Sequence, residues 1–251
     1  MKPGVQRGYQ EGFFFLSEKV RDPVGRRRKG LRILKTLQRH SHRPLTACQG
    51  LDIGCSSGLI TAVLAPHFRA LVGLEYDVLA LQAADPAERV AGRYVRGDAM
   101  RLPFGDNSLD VVICTQVYEH VPDDRRLADE IYRVLVPGGV ALFSGPNWLF
   151  PIELHYRLPF VHWLPSRLAA RYLQVMGRGA DYYERARHLW GLRGLLGRFV
   201  FHDITLEVLR DDYLVEARGW RRIGRWIPDF IWRSLEPWFP SFSFILYKPM
   251  R

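Results

Sequence analysis

Cysteine is scarce in this 251-residue chain: Cys48, Cys55 and Cys114 stand apart, and no two form a Cys-x-x-Cys pair. That leaves reduced, buried or half-buried thiols, as expected of a cytoplasmic protein. No run of 18 or more apolar residues occurs, which argues against a spanning helix. The start, Met1-Lys2-Pro3-Gly4, lacks the apolar core of a secretion signal, and the apolar stretch Phe13–Leu16 is too short to supply one. Internal repeats and low-complexity tracts are missing too. No compact His/Asp/Glu cluster shows metal-ligand spacing, so the expected chemistry is metal-free. Acidic residues are outnumbered, 26 against 36 basic ones, for a net charge of +10. Such a balance fits nucleic acid or an anionic membrane surface, and equally an Arg-rich solvated surface. A 47% hydrophobic fraction can fill a core, and the length suits one α/β domain with insertions.

The informative stretch is Leu51-Asp52-Ile53-Gly54-Cys55-Ser56-Ser57-Gly58. An apolar strand runs into an acid, and two glycines open the next helix. Glycine lets a backbone approach a ligand closely. The dinucleotide fingerprint, Gly-x-Gly-x-x-Gly, does not fit this spacing, and Asp52 would repel a pyrophosphate. A ligand carrying an ammonium group, such as S-adenosylmethionine, would be attracted. Taken alone, the turn is equally a tight strand-to-helix connection.

Its context is more specific. Leu71–Glu75 reads as a second buried strand ending in an acid, suited to accept from ribose hydroxyls. Arg93–Ala99 reads as a third, with Asp98 able to accept from an adenine amino group. Asp110–Thr115 is a fourth strand and Gly139–Ser144 a fifth. Between these two, Asp123–Val136 has helical periodicity, with Leu127, Ile131, Val134 and Leu135 on one face, stopped by Pro137-Gly138-Gly139.

Four segments in register, LDIGCSSG (51–58), GLEYD (73–77), GDAMRLPFGDNSLDVVICTQVYEHV (97–121) and EIYRVLVPGGVALFSGPN (130–147), resemble the class I S-adenosylmethionine-dependent methyltransferases, in the broad small-molecule group that includes the ubiquinone and menaquinone enzymes. Ser56 stands where that family usually has glycine. The resemblance implies an α/β, Rossmann-like fold with a seven-stranded, mostly parallel sheet and helices on both faces. It implies S-adenosylmethionine as cofactor, giving S-adenosylhomocysteine. Asp52, Gly54, Ser56, Gly58, Glu75, Tyr76, Asp98, Ala99, Thr115, Gln116 and Val117 are the expected cofactor residues. One domain is expected: an N-terminal helical cap (1–42), a cofactor core (43–147), and insertions at 148–190 and 210–240. In the cap, Pro23 and Gly25 break a first helix, and Arg26–Arg39 forms a second. A helix over 59–66, a helix end at 192–199, a sixth strand over 201–208 and a seventh over 242–247 complete the pattern.

Methyl transfer from a sulfonium is an in-line displacement, so the protein aligns the nucleophile, excludes water and, where needed, removes a proton. His120, after the fourth strand, is a candidate base, with a structural or cofactor-contacting role as the other reading. Glu153 and His155 lie two apart in an expected loop. Extended backbone puts both on one side, as a carboxylate-oriented proton acceptor or as a pair that fastens the insertion. His162, His188 and His202 read as surface or strand-edge residues. The loop Thr115-Gln116-Val117-Tyr118 lacks the (Asp/Asn)-Pro-Pro-aromatic motif of nucleic-acid amino methyltransferases, which argues against a nucleic-acid substrate.

Trp220, Ile223, Trp226, Ile227, Phe230, Ile231 and Leu235 share one half of a helical wheel; Arg221, Arg222, Arg225, Asp229 and Arg233 share the other, with Pro228 dividing two short helices. With Trp148, Phe150, Phe160 and Trp163, this segment forms either a lid over an aromatic, apolar substrate pocket or a contact for the inner face of an anionic membrane. The reading that follows is metal-free methylation of a hydroxyl, ahead of carbon or nitrogen, on a hydrophobic small molecule or lipid-linked intermediate. The other reading is a cofactor-binding scaffold without catalysis.

Overall fold

The computed structural model describes residues 21–83, 93–210 and 228–250. A seven-stranded sheet has the order β3-β2-β1-β4-β5-β9-β8. Its members are β1 (Gln49–Ile53), β2 (Ala70–Glu75), β3 (Arg93–Arg96), β4 (Leu109–Thr115), β5 (Leu135–Pro146), β8 (Val200–Asp203) and β9 (Ser241–Tyr247). β1 pairs in parallel with β2 and β4, and β4 with β5, while β9 runs antiparallel to both β5 and β8. The chain winds outward in opposite directions from β1 and β4. Their carboxyl ends therefore face a crevice at the switch point, where open α/β sheets take ligands.

Successive strand residues alternate between two cores. Val111, Ile113 and Leu142 join Ile33, Leu37, Ile60 and Leu64 from helices Pro23–His40 and Leu59–Leu64. Val112, Cys114, Ala141 and Phe143 face Leu127, Ile131, Leu189 and Leu192 from helices Asp124–Val134 and Leu189–Leu195. Asp123 caps the first of these by accepting from Arg125 and Arg126 N–H at 3.1 Å each. All three cysteines are free and buried. No described helix is long and apolar enough to cross a membrane.

Several boundaries differ from expectation. Asp22 caps a helix that starts at Pro23, with its carboxylate on Val24 N–H at 3.1 Å, so Gly25 sits inside the helix instead of breaking it. Proline at the first helical position loses no hydrogen bond. The helix before β5 ends at Val134, and Leu135 already pairs with Leu109. The expected strand over 201–208 divides: β8 ends at Asp203, whose carboxylate accepts Thr205 N–H at 2.9 Å and opens helix Thr205–Leu209. The insertion after β5 has structure of its own, a short hairpin of β6 (Ile152–Glu153) and β7 (Leu158–Pro159) followed by helix Ser166–Val175. Most of the Trp220–Trp238 segment lies outside the described residues; its end is helix Asp229–Leu235.

Beside β8, burial and then the neighbouring Asp203 hold the Glu236 carboxyl up at about 7. The folded chain thus keeps a proton that the unfolded chain releases from its ordinary value of 4.5 upward. Its contribution to stability falls as pH rises from that value to about 7. Asp203→Asn removes the like charge. The Tm difference between variant and native chain should therefore be more favourable at pH 8 than at pH 5, and an equal difference at both would contradict the pairing.

Candidate cofactor and acceptor site

The loop after β1 turns through three left-handed residues, Gly54 (φ 71°), Ser56 (φ 55°) and Gly58 (φ 85°). A Cβ at Gly54 would stand 2.6 Å from Val117 Cγ2, and one at Gly58 2.4 Å from Tyr94 Cε1. Both glycines are thus required by conformation and by space. Ser56 occupies a left-handed position that glycine would take more cheaply, which gives the departure at this position its physical meaning.

Asp52 is buried at the end of β1 and accepts the Thr61 hydroxyl at 2.6 Å. Burial raises its carboxyl, while Thr61, Arg26 and Lys29 oppose the rise. Glu75 ends β2. Its Oε2 accepts Ser56 N–H at 2.7 Å, and its Oε1 accepts Tyr76 and Asp77 N–H at 2.8 and 3.0 Å. The carboxylate ties the two loops together and keeps acceptor capacity on Oε2. Asp98 lies beyond β3 instead of ending it, with Oδ1 on Met100 N–H at 2.9 Å; Ala99 beside it is buried. Thr115 ends β4, and Gln116 (φ 61°) donates its N–H to Ser144 O at 2.8 Å. The expected cofactor residues thus sit at the ends of β1, β2 and β4 and in the loops after β1, β2, β3 and β4, along the carboxyl edge of the sheet.

Two residues at this edge, Arg26 and Lys29, were missed. They lie in the basic run Arg26-Arg27-Arg28-Lys29, which opens the expected helix over 26–39. On helix Pro23–His40 its first and last members share the inward stripe of Gly30, Ile33 and Leu37. Burial lowers the Arg26 guanidinium, with Asp52, Cys55 and Glu75 opposing. Burial, then Arg26, brings Lys29 down to about 8 against the pull of Asp52 and Glu119. Arg26 Nε is buried with no hydrogen-bond partner. The i, i+3 spacing was the available signal.

A second group gathers beside this edge. His155 Nδ1 lies 2.8 Å from Glu153 Oε1, so the expected pair forms, and Glu153 Oε2 also accepts Tyr156 N–H at 2.6 Å. The His120 and His155 rings meet edge to face at 5.0 Å. Between them stands Glu119, which the sequence reading did not single out. It is 0% exposed, and neither of its carboxylate oxygens has a hydrogen-bond partner. Burial pushes Glu119 up to about 7. Burial and His155 push His120 down to about 3. For His155, burial pulls downward, but Glu153 and Glu119 outweigh it and hold the imidazole at about 9. His188 and His202 lie apart from this group, His188 capping helix Leu189–Leu195 and His202 facing His40, whereas His162, next to Trp163, feels the Glu153 carboxylate.

The insertion closes over the cluster. Arg185 N–H donates to Glu119 O at 2.9 Å, and Tyr156 O–H to Glu184 Oε1 at 3.2 Å. The buried Tyr118 hydroxyl donates to Pro146 O and accepts Arg187 N–H at 3.0 Å. Tyr118→Phe leaves that carbonyl and amide unpaired, which should cost about 2–4 kcal/mol at roughly 1–3 per buried group. A chemical-denaturation difference below about 1 kcal/mol would contradict this. Alongside opens a cleft of about 760 Å³, lined by Val121, Pro122, Trp148, His162, Tyr182 and Glu184 among others.

Residues 51–143 match the family model described as a methyltransferase domain. An uncharacterized methyltransferase of Mycobacterium sp. (strain JLS) is 41% identical over 128 residues, 51% of this chain and 50% of that protein. Over this core the chain is similar to methyltransferase domains. A second uncharacterized methyltransferase, of Mycobacterium tuberculosis (strain ATCC 25177 / H37Ra), is 35% identical over 146 residues, 57% of each chain. The chain spans about half the length of the curated relatives it matches. Among solved structures, this chain is similar in fold to an S-adenosylmethionine-dependent methyltransferase from Archaeoglobus fulgidus, with TM-score 0.57, 16% identity, and 95% of this chain and 100% of that one covered. Haemonchus contortus phosphoethanolamine N-methyltransferase 2, solved with phosphomonomethylethanolamine and S-adenosylhomocysteine, gives TM-score 0.57 at 17% identity, covering 96% of this chain and 60% of that one.

Proposed function

We propose that this chain transfers the methyl group of S-adenosylmethionine to a hydroxyl of a hydrophobic small molecule or lipid-linked intermediate. The observation that carries the proposal is the adjacency of two buried polar groups, the acid- and glycine-lined edge at Asp52–Gly58 and the carboxylate–imidazole cluster around Glu119. The donor set at that edge fits the cofactor. Asp52 offers charge to an ammonium, Arg26 brings an orphaned buried N–H for a carboxylate, and Glu75 retains an acceptor for a ribose hydroxyl. Asp98, Ala99, Gln116 and Val117 line the adenine side. When bound, the cofactor supplies a methyl group already activated by a positive sulfur.

The chain's own part is positioning and proton removal. Glu153 fixes the His155 ring through Nδ1, so that Nε2 faces Glu119; with the imidazole held at about 9, it is the neutral form of His155, a strong base, whose Nε2 takes the proton of the acceptor hydroxyl. The 760 Å³ cleft is large enough for a drug-sized acceptor. Its lining is more polar than the aromatic, apolar pocket expected, because Arg167, Asp181, Glu184 and Arg185 share it with Trp148, Tyr182 and Tyr183. An acceptor with an aromatic or alkyl body and polar substituents suits it best. Exposed Phe230 and Trp238 support peripheral contact with an anionic membrane.

The test is turnover of methyl-labelled S-adenosylmethionine in a lysate or lipid extract. Label in an alkali-stable, extractable ether supports the reading. Label confined to protein or nucleic acid, or absent despite cofactor binding, contradicts it. Sedimentation with anionic vesicles at low and high salt tests the membrane part; protein left in the supernatant at low salt ends it.

A further inference from the structure

We infer that Glu119, His120 and His155 bind one divalent ion of a late first-row transition metal, with Glu119 Oε1 and the two histidine Nε2 atoms as ligands. One ligand atom from each of the three residues lies within 4.8 Å of the other two. Glu119 Oε1 is 3.8 Å from His120 Nε2 and 3.9 Å from His155 Nε2. These separations are too long for hydrogen bonds. They are close to the spacing of roughly 3.4 Å that ligands take around a tetrahedral ion with bonds of about 2.0–2.1 Å. Small side-chain rotations would close the set.

Three independent features point the same way. Glu119 is 0% exposed, yet both of its carboxylate oxygens lack a hydrogen-bond partner. A buried carboxylate in that state is costly unless something positive completes it. His155 has its other ring nitrogen on Glu153 at 2.8 Å, and Glu153 is itself anchored by Tyr156 N–H. A carboxylate holding the far nitrogen of an imidazole is the usual support behind a metal-ligating histidine. Finally, Glu119, Glu153 and Glu184 bring three buried carboxylates to one place, exposed by 0%, 5% and 7%. A doubly charged ion balances them better than one imidazolium can.

Two imidazoles and one carboxylate select zinc, cobalt or iron, because magnesium, calcium and manganese favour oxygen ligands. Three protein ligands leave a coordination position open. An acceptor oxygen there would become more acidic, and the three side chains would serve as ligands instead of His155 acting as the direct base. That use rests on the hydroxyl-methylation reading; the ion site itself does not. It departs from the metal-free expectation, because residue 155 reaches the pair at 119 and 120 only through the fold.

The test uses the full chain, stripped with a chelator and dialysed. Cobalt(II) is added while visible absorption is followed, and zinc is titrated by calorimetry. The expected result is one saturable equivalent with visible cobalt bands, lost in Glu119→Gln and in His155→Ala. Glu153→Gln should weaken zinc affinity about 10- to 100-fold at unchanged stoichiometry. No saturable equivalent in the native chain, or unchanged affinity in both ligand variants, overturns the proposal. S-adenosylhomocysteine titrated into the same samples reports folding and the cofactor site separately. A native chain that binds cobalt but not S-adenosylhomocysteine would sink the methyl-transfer reading and leave the ion site standing.

Discussion

Asp52→Asn weakens S-adenosylhomocysteine binding at least about 100-fold while the chain stays folded. Asparagine keeps the shape of the side chain and an oxygen for the Thr61 hydroxyl, now 2.6 Å from the carboxylate. What it removes is the charge. Arg26 and Lys29 both stand toward Asp52. With the carboxylate gone, they face each other without their shared counter-ion, and an incoming ammonium meets net repulsion. A hydrogen bond to a charged group contributes about 1.5–3 kcal/mol, and 100-fold corresponds to about 2.7 kcal/mol. Calorimetry reads the affinity and circular dichroism the fold. An affinity within tenfold of the native chain would mean that Asp52 serves only the strand end.

Gly58→Ala has a larger effect, on both stability and binding. A left-handed residue other than glycine costs about 1–2 kcal/mol. Here the new Cβ would also stand 2.4 Å from Tyr94 Cε1. The ring must move, and with it goes the bond from Tyr94 O–H to Gly58 O at 3.2 Å. The sum is about 3 kcal/mol, and at roughly 2–4 °C per kcal/mol the Tm should fall by about 6–12 °C. Gly58 also sets the entry to helix Leu59–Leu64, so cofactor binding should be lost. Gly194→Ala is the control. Nothing lies within 4 Å of its new Cβ, and it sits inside helix Leu189–Leu195, so its Tm should hold or rise. Equal Tm changes in the two variants would contradict the argument.

The parts of the fold legible in the sequence are those where chemistry and periodicity agree. β1, β2, β4 and β5 are largely buried apolar runs, and an acid or a glycine stands at the ligand end of β1, β2 and β5, while β4 ends at Thr115. Residues 204–208 alternate like a strand, yet Asp203 caps the backbone and a helix results. Periodicity over five residues is too weak to outweigh a cap. Arg26 and Lys29 were not singled out, because a run of four basic residues hides which two face inward. In the cluster, Glu153 and His155 could be paired from their spacing, but Glu119 could not be placed. Whether a residue after β4 points into the crevice depends on the left-handed turn at Gln116 and on the fastening of Tyr118, which only the fold reveals. The β6–β7 hairpin was illegible because its strands are two residues long.

The most direct measurement is titration calorimetry of the full chain with S-adenosylhomocysteine, run beside a nicotinamide dinucleotide. The account predicts one equivalent of S-adenosylhomocysteine, displaced by S-adenosylmethionine, and no heat from the dinucleotide. Binding of the dinucleotide, or of none of the three ligands, would contradict it.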